Sequence, residues 1–358
     1  MKEAAKSPPP DGGGETLKER LSGRFQRSME RLVAGFREKS YILAFSGGSD
    51  SLALALLLSG ELPAERIVLF HLDHSLREES AAEAEKVRSI AEKLSLRVVV
   101  EKADVFSLSR KRGKGVEEAG RAARYLALER VRERFNADYI LTAHQAEDLT
   151  ETVLLKLVKG MGPGGLVGIP PKKGRLLRPL LGFTKGELRE LAEESGLEHV
   201  EDSSNGDLRH PRNALRARVL PLLRELNPAL ERAVGRASQI ALAEEELWEE
   251  RLDELFPALA EKRAPDLYAL KTEGFLKLRA AEQRRLLGGL FRRVKGRGRP
   301  LEPPGLSGVE AALEFIRSGR KKGLDFPSGR RVERRGGEVL ISPASRFGNQ
   351  PPATGFGN

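Results

Sequence analysis

One stretch restricts what this chain can fold into more than any other: AFSGGSDSLALALLL, Ala44 to Leu58. Before the turn, Tyr41, Ile42, Leu43 and Phe45 form a short apolar run suited to a buried strand, and after it Ser51 to Leu58 is apolar on every side, as a buried helix would be. A glycine turn joins them. Gly47 and Gly48 let the backbone approach a ligand and take angles closed to other residues, so that successive N–H groups and the helix start can face one anion. Phosphate is the simplest such anion; the alternative is a tight turn with serine caps and no ligand.

The rest of the first half repeats the same rhythm. Apolar runs at Ile67–Leu72, Leu96–Val100 and Tyr139–Thr142 alternate with helical stretches at Glu78–Leu94, Val116–Phe135 and about Glu147–Lys159, preceded by a helix over Leu17–Glu38. Strands separated by helices of this length predict a doubly wound parallel sheet of the α/β class, with ligands beyond the carboxyl ends of its strands. The polar residues obey that rule. Strand one runs into SGGSDS, strand two into His71, Asp73, His74 and Arg77, and strand four into His144, Glu147 and Asp148. A basic loop, Ser109–Lys114, precedes the helix carrying Glu117, Arg121 and Arg124 at spacings of four and three, on one face.

SGGSDS is not the common nucleotide loop, because GxxxxGK[ST] needs a lysine ahead of its last hydroxyl, whereas Asp50 precedes Ser51 here. A carboxylate at that point suits a divalent cation bridging to phosphates. The six residues resemble the pyrophosphatase-type loop of enzymes that split ATP into AMP and pyrophosphate.

Composition narrows the classes further. The 62 Lys and Arg against 52 Asp and Glu leave +10, which favours a polyanionic partner, and the absence of Cys removes disulfides, thiolate metal sites and cysteine nucleophiles. No signal peptide or membrane-length apolar run is present, so a cytoplasmic protein is expected.

Beyond Lys159, GMGPGGLVGIPP reads as a flexible loop or lid, and the helix Thr184–Ser195 follows RLLRPLLGF. EDSSNGDLRHPRN, Glu201–Asn213, has the charge density of a substrate-facing surface, and Pro211 opens a helix bearing Arg212, Asn213, Arg216 and Arg218. The expected organisation is a Pro- and Gly-rich disordered tail over 1–16, a catalytic domain over 17–226, a smaller, mainly helical domain over 227–345, and a tail over 346–358. Long helices at Ala229–Leu255 and Phe275–Lys295, then a terminal hairpin in GLDFPSGRRVERRGGEVLIS, make up the second domain. Its cations, Arg284, Arg285, Arg292, Arg293, Lys295, Arg297, Arg299, Arg320, Lys321, Lys322, Arg330, Arg331, Arg334 and Arg335, suit phosphate contact, since four Tyr and one Trp make no stacking platform for bases.

In TAHQAEDLTET, Thr142–Thr152, Asp148 and Glu151 lie one turn apart at a helix start, able to complement the dipole or to hold a metal or cationic substrate. His71 and His74, three apart and without a third ligand, point to nucleotide contact or loop packing rather than zinc.

In order, SGGSDS, LDHSLR, GVEEAGRAARY, TAHQAEDLTET, GMGPGGLVGI, RPLL and EDSSNGDLRHPRNALR resemble the tRNA(Ile)-lysidine synthases over about Tyr41–Glu225. The sequence departs from that family where two adjacent aspartates and a glutamine are usual, having Glu147, Asp148 and Leu149. The resemblance implies an adenine nucleotide alpha-hydrolase-like fold with a tRNA-binding C-terminal domain. It implies ATP and Mg²⁺, free L-lysine, and the isoleucine tRNA with a CAU anticodon as substrates. The wobble cytidine is adenylated with loss of pyrophosphate, and lysine then displaces AMP. Ser46, Gly47, Gly48, Ser49, Asp50, Ser51, Asp73 and His74 would contact the nucleotide, with Asp50 holding the metal. Asp50, Asp148, Arg121 and Arg216 would be catalytic, and His144, Asp148, Glu151, Arg124 and Arg212 would bind substrate. Two rivals are tRNA thiolation, which relies on cysteines, and non-catalytic RNA binding by a decayed loop. Both monomer and homodimer are compatible with the sequence.

Overall fold

A computed structural model describes residues 15–73, 80–102, 116–200, 211–294, 304–320 and 323–344. His74, Arg77, Ser109–Lys114, the polar stretch 201–210, Lys295, Arg297, Arg299, Lys321, Lys322, and residues 1–14 and 346–358 of the expected tails lie outside the described residues. The chain divides into two units, Met1–Ala241 and Leu242–Asn358.

In the first unit, α1 (Leu17–Leu32) starts in a capping box between Thr16 and Glu19. It ends before the expected Glu38 because Gly35 adopts φ +64°, which a continuing right-handed helix cannot accommodate. There follow β1 (Tyr41–Ala44), α2 (Ser49–Ser59), β2 (Ile67–Asp73), α3 (Ser80–Lys93), β3 (Arg97–Lys102), α4 (Val116–Arg134), β4 (Tyr139–Leu141) and α5 (Ala146–Val158). Two short strands, β5 (Lys172–Lys173) and β6 (Leu176–Leu177), precede α6 (Lys185–Glu194). The sheet runs β3-β2-β1-β4-β6-β5, parallel throughout except for the β5–β6 pair. Tyr41 therefore faces Ile67 on one side and Tyr139 on the other, and strand order reverses between β1 and β4.

Both faces of this sheet are covered, as its continuous apolar strands require. Leu52, Leu54 and Leu58 of α2 share a core with Phe25 of α1, Ile90 of α3 and Leu188 of α6. Leu128 and Val131 of α4 close the other face over Ile42, Phe70 and Ile140. The doubly wound α/β expectation is met, and the crevice between β1 and β4 is the switch point at which such sheets bind ligands.

After α6, a helical turn at α7 (Pro211–Ala214) passes through a π-helical segment, Leu215–Val219, into α8 (Leu220–Leu226). Pro221 explains the irregularity, because it has no N–H to donate four residues back. The long helix α9 (Leu230–Leu259) begins in the first unit and ends in the second.

The second unit has the expected helices and hairpin but more strand than its sequence suggested. The antiparallel sheet runs β7 (Ala260–Ala264), β8 (Leu267–Lys271), β11 (Glu338–Pro343), β10 (Arg330–Arg335) and β9 (Leu324–Asp325). The single helix expected over Phe275–Lys295 is two, α10 (Thr272–Leu276) and α11 (Ala280–Arg293), and α12 (Leu306–Ser318) follows. Buried Gln283 reconciles the break by donating to the carbonyls of Phe275, Leu276 and Leu278.

Several cations expected to face phosphate are engaged within this unit. Arg330, 1% exposed, donates from Nε to Phe291 O at 2.9 Å and from Nη2 to Val294 O at 3.3 Å, capping α11. Arg334 donates to Ile316 O of α12, Arg285 forks onto Glu245, Arg331 pairs with Asp325, and Arg293 lies over the Phe256 ring. Arg292 and Arg320 remain exposed, with no carboxylate partner among the described residues.

Candidate active site

The Gly loop is shaped by its own hydroxyls. Ser51 Oγ donates to Gly48 O at 2.9 Å and lies 3.2 Å from Ser46 Oγ, which accepts from Gly48 N at 3.3 Å. Gly47 takes φ +85°, and a Cβ there would sit 3.0 Å from Val200 Cγ2 and 3.1 Å from Val87 Cγ2. Gly48 differs from the expectation of a special angle: its φ is −75°, as an extended N-cap residue, and a Cβ would meet nothing closer than 3.6 Å. Val200 N donates to Gly47 O at 2.9 Å, tying the loop to the chain just before the polar stretch 201–210.

Asp50 enters α2 in its first turn, after Ser49, with Oδ1 buried and unpartnered. Burial is the main cause that pushes its carboxyl up to about 6; Asp148 and Glu147 add to the effect, while Lys185 and Arg216 oppose it. Asp148 lies in the first turn of α5, the helix that follows β4, so the switch point has brought the elements after the first and fourth strands together.

Across the crevice, Asp148 Oδ2 accepts from Gln145 N at 3.2 Å, and Oδ1 is 3.6 Å from Arg216 Nη2. Glu151, 1% exposed, is held between Arg216 Nε and Arg212 Nε, the latter 3.0 Å from Oε2 but too poorly aligned for a hydrogen bond. Arg212 Nη2 donates to Thr152 Oγ1 at 3.0 Å. His144 Nδ1 is 2.9 Å from Thr142 Oγ1; burial lowers its pKa to about 4, with Asp148 opposing and Arg178, Arg121 and Arg212 reinforcing the fall. The imidazole is neutral at physiological pH.

The remaining expected residues are more dispersed. Asp73 is buried at the end of β2, next to β1, whereas Arg121 and Arg124 stand on an exposed part of α4, Arg121 close enough for its charge to reach His144. His71 Nδ1 donates to Phe45 O at 3.0 Å and is buried there as loop packing.

The two departures from the family pattern have structural roles. Glu147 Oε2 accepts from Lys185 N at 3.0 Å, and its Oε1 lies 3.8 Å from Arg224, which in turn pairs with Glu231 at 2.6 Å. Leu149 packs the base of the loop expected to be flexible: at Gly168, φ +62°, a Cβ would lie 2.6 Å from Leu149 Cδ1. That loop is instead a 3-10 turn, Pro163–Val167, pinned at its far end. Lys156 Nζ donates to Gly168 O at 2.7 Å, Ser238 Oγ to Val167 O at 2.8 Å, and buried Arg178 to Pro170 O at 2.7 Å.

Sequence reasoning missed Lys185, Val200, Arg178 and Arg224. RPLL and the Thr184 helix cap marked the neighbourhoods of Arg178 and Lys185, but these residues meet the site only through long-range packing.

Among the described residues, no three His, Cys, Asp or Glu side chains are grouped to cage a metal. The site nevertheless fits a hard cation completed by outside oxygens, because Asp50 Oδ1 is a buried acceptor with no donor.

Residues 21–223 match the family model of the PP-loop domain. The chain belongs to the PP-loop family. This PP-loop chain is 40% identical over 197 residues to a tRNA(Ile)-lysidine synthase of a Thermotoga species, covering 54% of the chain and 48% of the relative. It is 36% identical over 320 residues to the tRNA(Ile)-lysidine synthase of Thermus thermophilus, covering 88% and 59%. The chain thus spans about half the length of the curated relatives it matches. The U34-tRNA thiolase NcsA of Methanococcus maripaludis superposes with a TM-score of 0.53 at 15% identity, covering 63% of this chain and 80% of that one, a likeness of fold. No helix among the described residues is long and apolar enough to cross a membrane.

Proposed function

We propose that this chain is a cytoplasmic tRNA(Ile)-lysidine synthase, joining free lysine to the wobble cytidine of the CAU-anticodon isoleucine tRNA at the expense of ATP. The observation that carries the reading is the unpartnered Oδ1 of Asp50, held at the β1 end opposite Asp148 at the β4 end. One strand end then serves the phosphates and the other the incoming amine.

In the first step the cytidine carbonyl oxygen attacks the α-phosphate of ATP, and pyrophosphate leaves. The amides of Gly47 and Ser49 and the start of α2 would meet the departing phosphates, and Ser46 and Ser51 fix the loop so that little reorganisation is required as charge develops. Asp50 would hold Mg²⁺, which supplies charge neutralisation between phosphate oxygens when bound. In the second step the ε-amine of lysine attacks the activated ring carbon and AMP leaves. An amine of pKa about 10.4 must first shed a proton. Asp148 is the suited acceptor: one of its oxygens is only loosely paired, at 3.6 Å, whereas Glu151 is buried between two arginines, hydrogen-bonded by Arg216 and ion-paired with Arg212. Arg216 lies between these two carboxylates and would meet phosphate charge, and neutral His144 offers a hydrogen bond without adding charge.

The absence of any Cys in the sequence favours ligation over thiolation as the use of this fold. AMP release that depends on both the CAU tRNA and lysine tests the proposal. Asp148→Ala should raise the lysine KM about tenfold or more while leaving that for ATP within about twofold, as expected for loss of one charge-assisted contact. Unchanged lysine dependence would move the amine site elsewhere.

A further inference from the structure

Several of the cations expected to meet phosphate in the second unit are held by helix ends or carboxylates. A different set, in the first unit, is not. Arg20, Arg24, Arg27 and Arg31 recur along α1 at spacings of four, three and four, which places all of them on one face of the helix. Leu21, Phe25 and Met29 bury the adjoining face in the core. Arg20, Arg27 and Arg31 are exposed and pair with no carboxylate among the described residues. The nearest acids of the helix are engaged elsewhere: Glu19 forms the capping box with Thr16, and Glu30 lies 3.8 Å from Arg37.

Arg24 fixes where this stripe lies. Its Nη2 donates to Gly182 O at 2.6 Å, it pairs with Glu187, and its guanidinium lies 4.4 Å over the Phe183 ring. Ser28 Oγ adds a bond to Pro179 O at 2.7 Å. These partners belong to the connection that follows β6, at the carboxyl end of the sheet, and to the start of α6. Phe183 O in turn accepts from Ala146 N at 2.9 Å, the first residue of the helix that carries Asp148. The stripe therefore flanks the ligand end of the sheet. Its far end meets the β5 edge, where Lys172 Nζ donates to Leu32 O at 3.0 Å and Lys173 is exposed.

From Arg20 to Arg31 the helix rises about 16 Å, enough to follow several phosphates of one strand. Guanidinium forks match phosphate oxygens, whereas Phe25 and Phe36 are buried and offer bases nothing to stack on. We infer, resting on the reading of a tRNA substrate, that this face of α1 grips the phosphate backbone of the stem adjoining the loop whose base enters at the strand ends. Such a contact positions the RNA without reading its sequence.

Fluorescence anisotropy of the full chain with CAU-anticodon isoleucine tRNA, over a range of salt concentrations, tests it. The triple variant Arg20→Gln/Arg27→Gln/Arg31→Gln changes only exposed side chains, and an unchanged melting temperature and Mg²⁺-ATP affinity verify its fold. It should weaken tRNA about tenfold or more and lower the slope of log affinity against log salt by about 2–3, while the corresponding triple lysine variant keeps most of both. A tRNA of another anticodon should lose affinity to the same degree. Affinity within about twofold of wild type at an unchanged slope would overturn the inference, and if the variant then lost binding to anionic lipid vesicles the face would be a membrane contact instead. A wild-type chain that binds no tRNA would overturn both this and the lysidine reading. Stripe-dependent tRNA binding without transfer of lysine would support the grip and overturn that reading alone.

Discussion

Asp50 is a residue through which the site responds to pH. With its Oδ1 buried and unpartnered, its carboxyl titrates near 6 rather than at the ordinary 3.8, so the folded chain binds a proton there across a range where the unfolded chain has lost it. Stability therefore falls as pH rises through that window. Asp50→Asn should stabilise the ligand-free chain above pH about 6 by roughly 1–2 kcal/mol, the full linkage value being reduced by water reaching the loop, and should give no gain near pH about 3.5. Thermal melts at the two pH values check this, and an equal gain at both would point to packing instead of charge. His144 acts in the opposite sense, its pKa of about 4 costing stability as pH falls from 6.5, so the variant must be compared with wild type at each pH. Asp50 itself was legible in the sequence because loop chemistry is local. Lys185 was not: its tie to Glu147 spans 38 residues, and nothing in TKGEL distinguishes that contact from an ordinary first helical turn.

At the scale of elements, strand rhythm and polar strand ends were enough to foresee the sheet and the face that carries the site, because a parallel sheet buried on both sides leaves a continuous apolar record. Helix ends were less legible where a single dihedral or side chain decides them, as with Gly35 after α1 and Gln283 between α10 and α11. The pairing of α5 with the π-helical segment was invisible for the same reason. Spacing put Asp148 and Glu151 on one helix face, but their partners lie more than 60 residues on, at Arg212 and Arg216. Glu151 is fully buried whereas both arginines reach water, so either arginine alone can neutralise it and loss of both leaves a buried charge unpaired. The double variant Arg212→Ala/Arg216→Ala should therefore lose more stability than the sum of the singles, by about 1–3 kcal/mol in a denaturation cycle. Additive losses would mean that Glu151 is satisfied by other means.

Over the whole molecule, the division after Ala241 sets where the chain can be cut. Arg224 pairs with Glu231, and Ser238 bonds Val167 of the pinned loop, so the start of α9 completes the first unit. A fragment ending at Ala241 should bind ATP and melt as one transition, whereas one ending at Glu225 should melt several degrees lower, as expected from loss of about 1–3 kcal/mol of buried polar contacts. Equal melting temperatures would place the boundary earlier. The basic character of the second unit was legible as composition, but its allocation was not. Arg330 and Arg334 cap helices and Arg285 and Arg331 pair with carboxylates, which leaves a narrower cationic surface than the count suggests. The proposed function makes one claim: the β1 end would activate the cytidine and the β4 end would deliver the amine. The most direct test supplies the purified full chain with ATP, Mg²⁺, radiolabelled lysine and CAU-anticodon isoleucine tRNA. The account predicts label in the tRNA with AMP and pyrophosphate released in equal amounts; tRNA that stays unlabelled while the folded chain still binds ATP would contradict it.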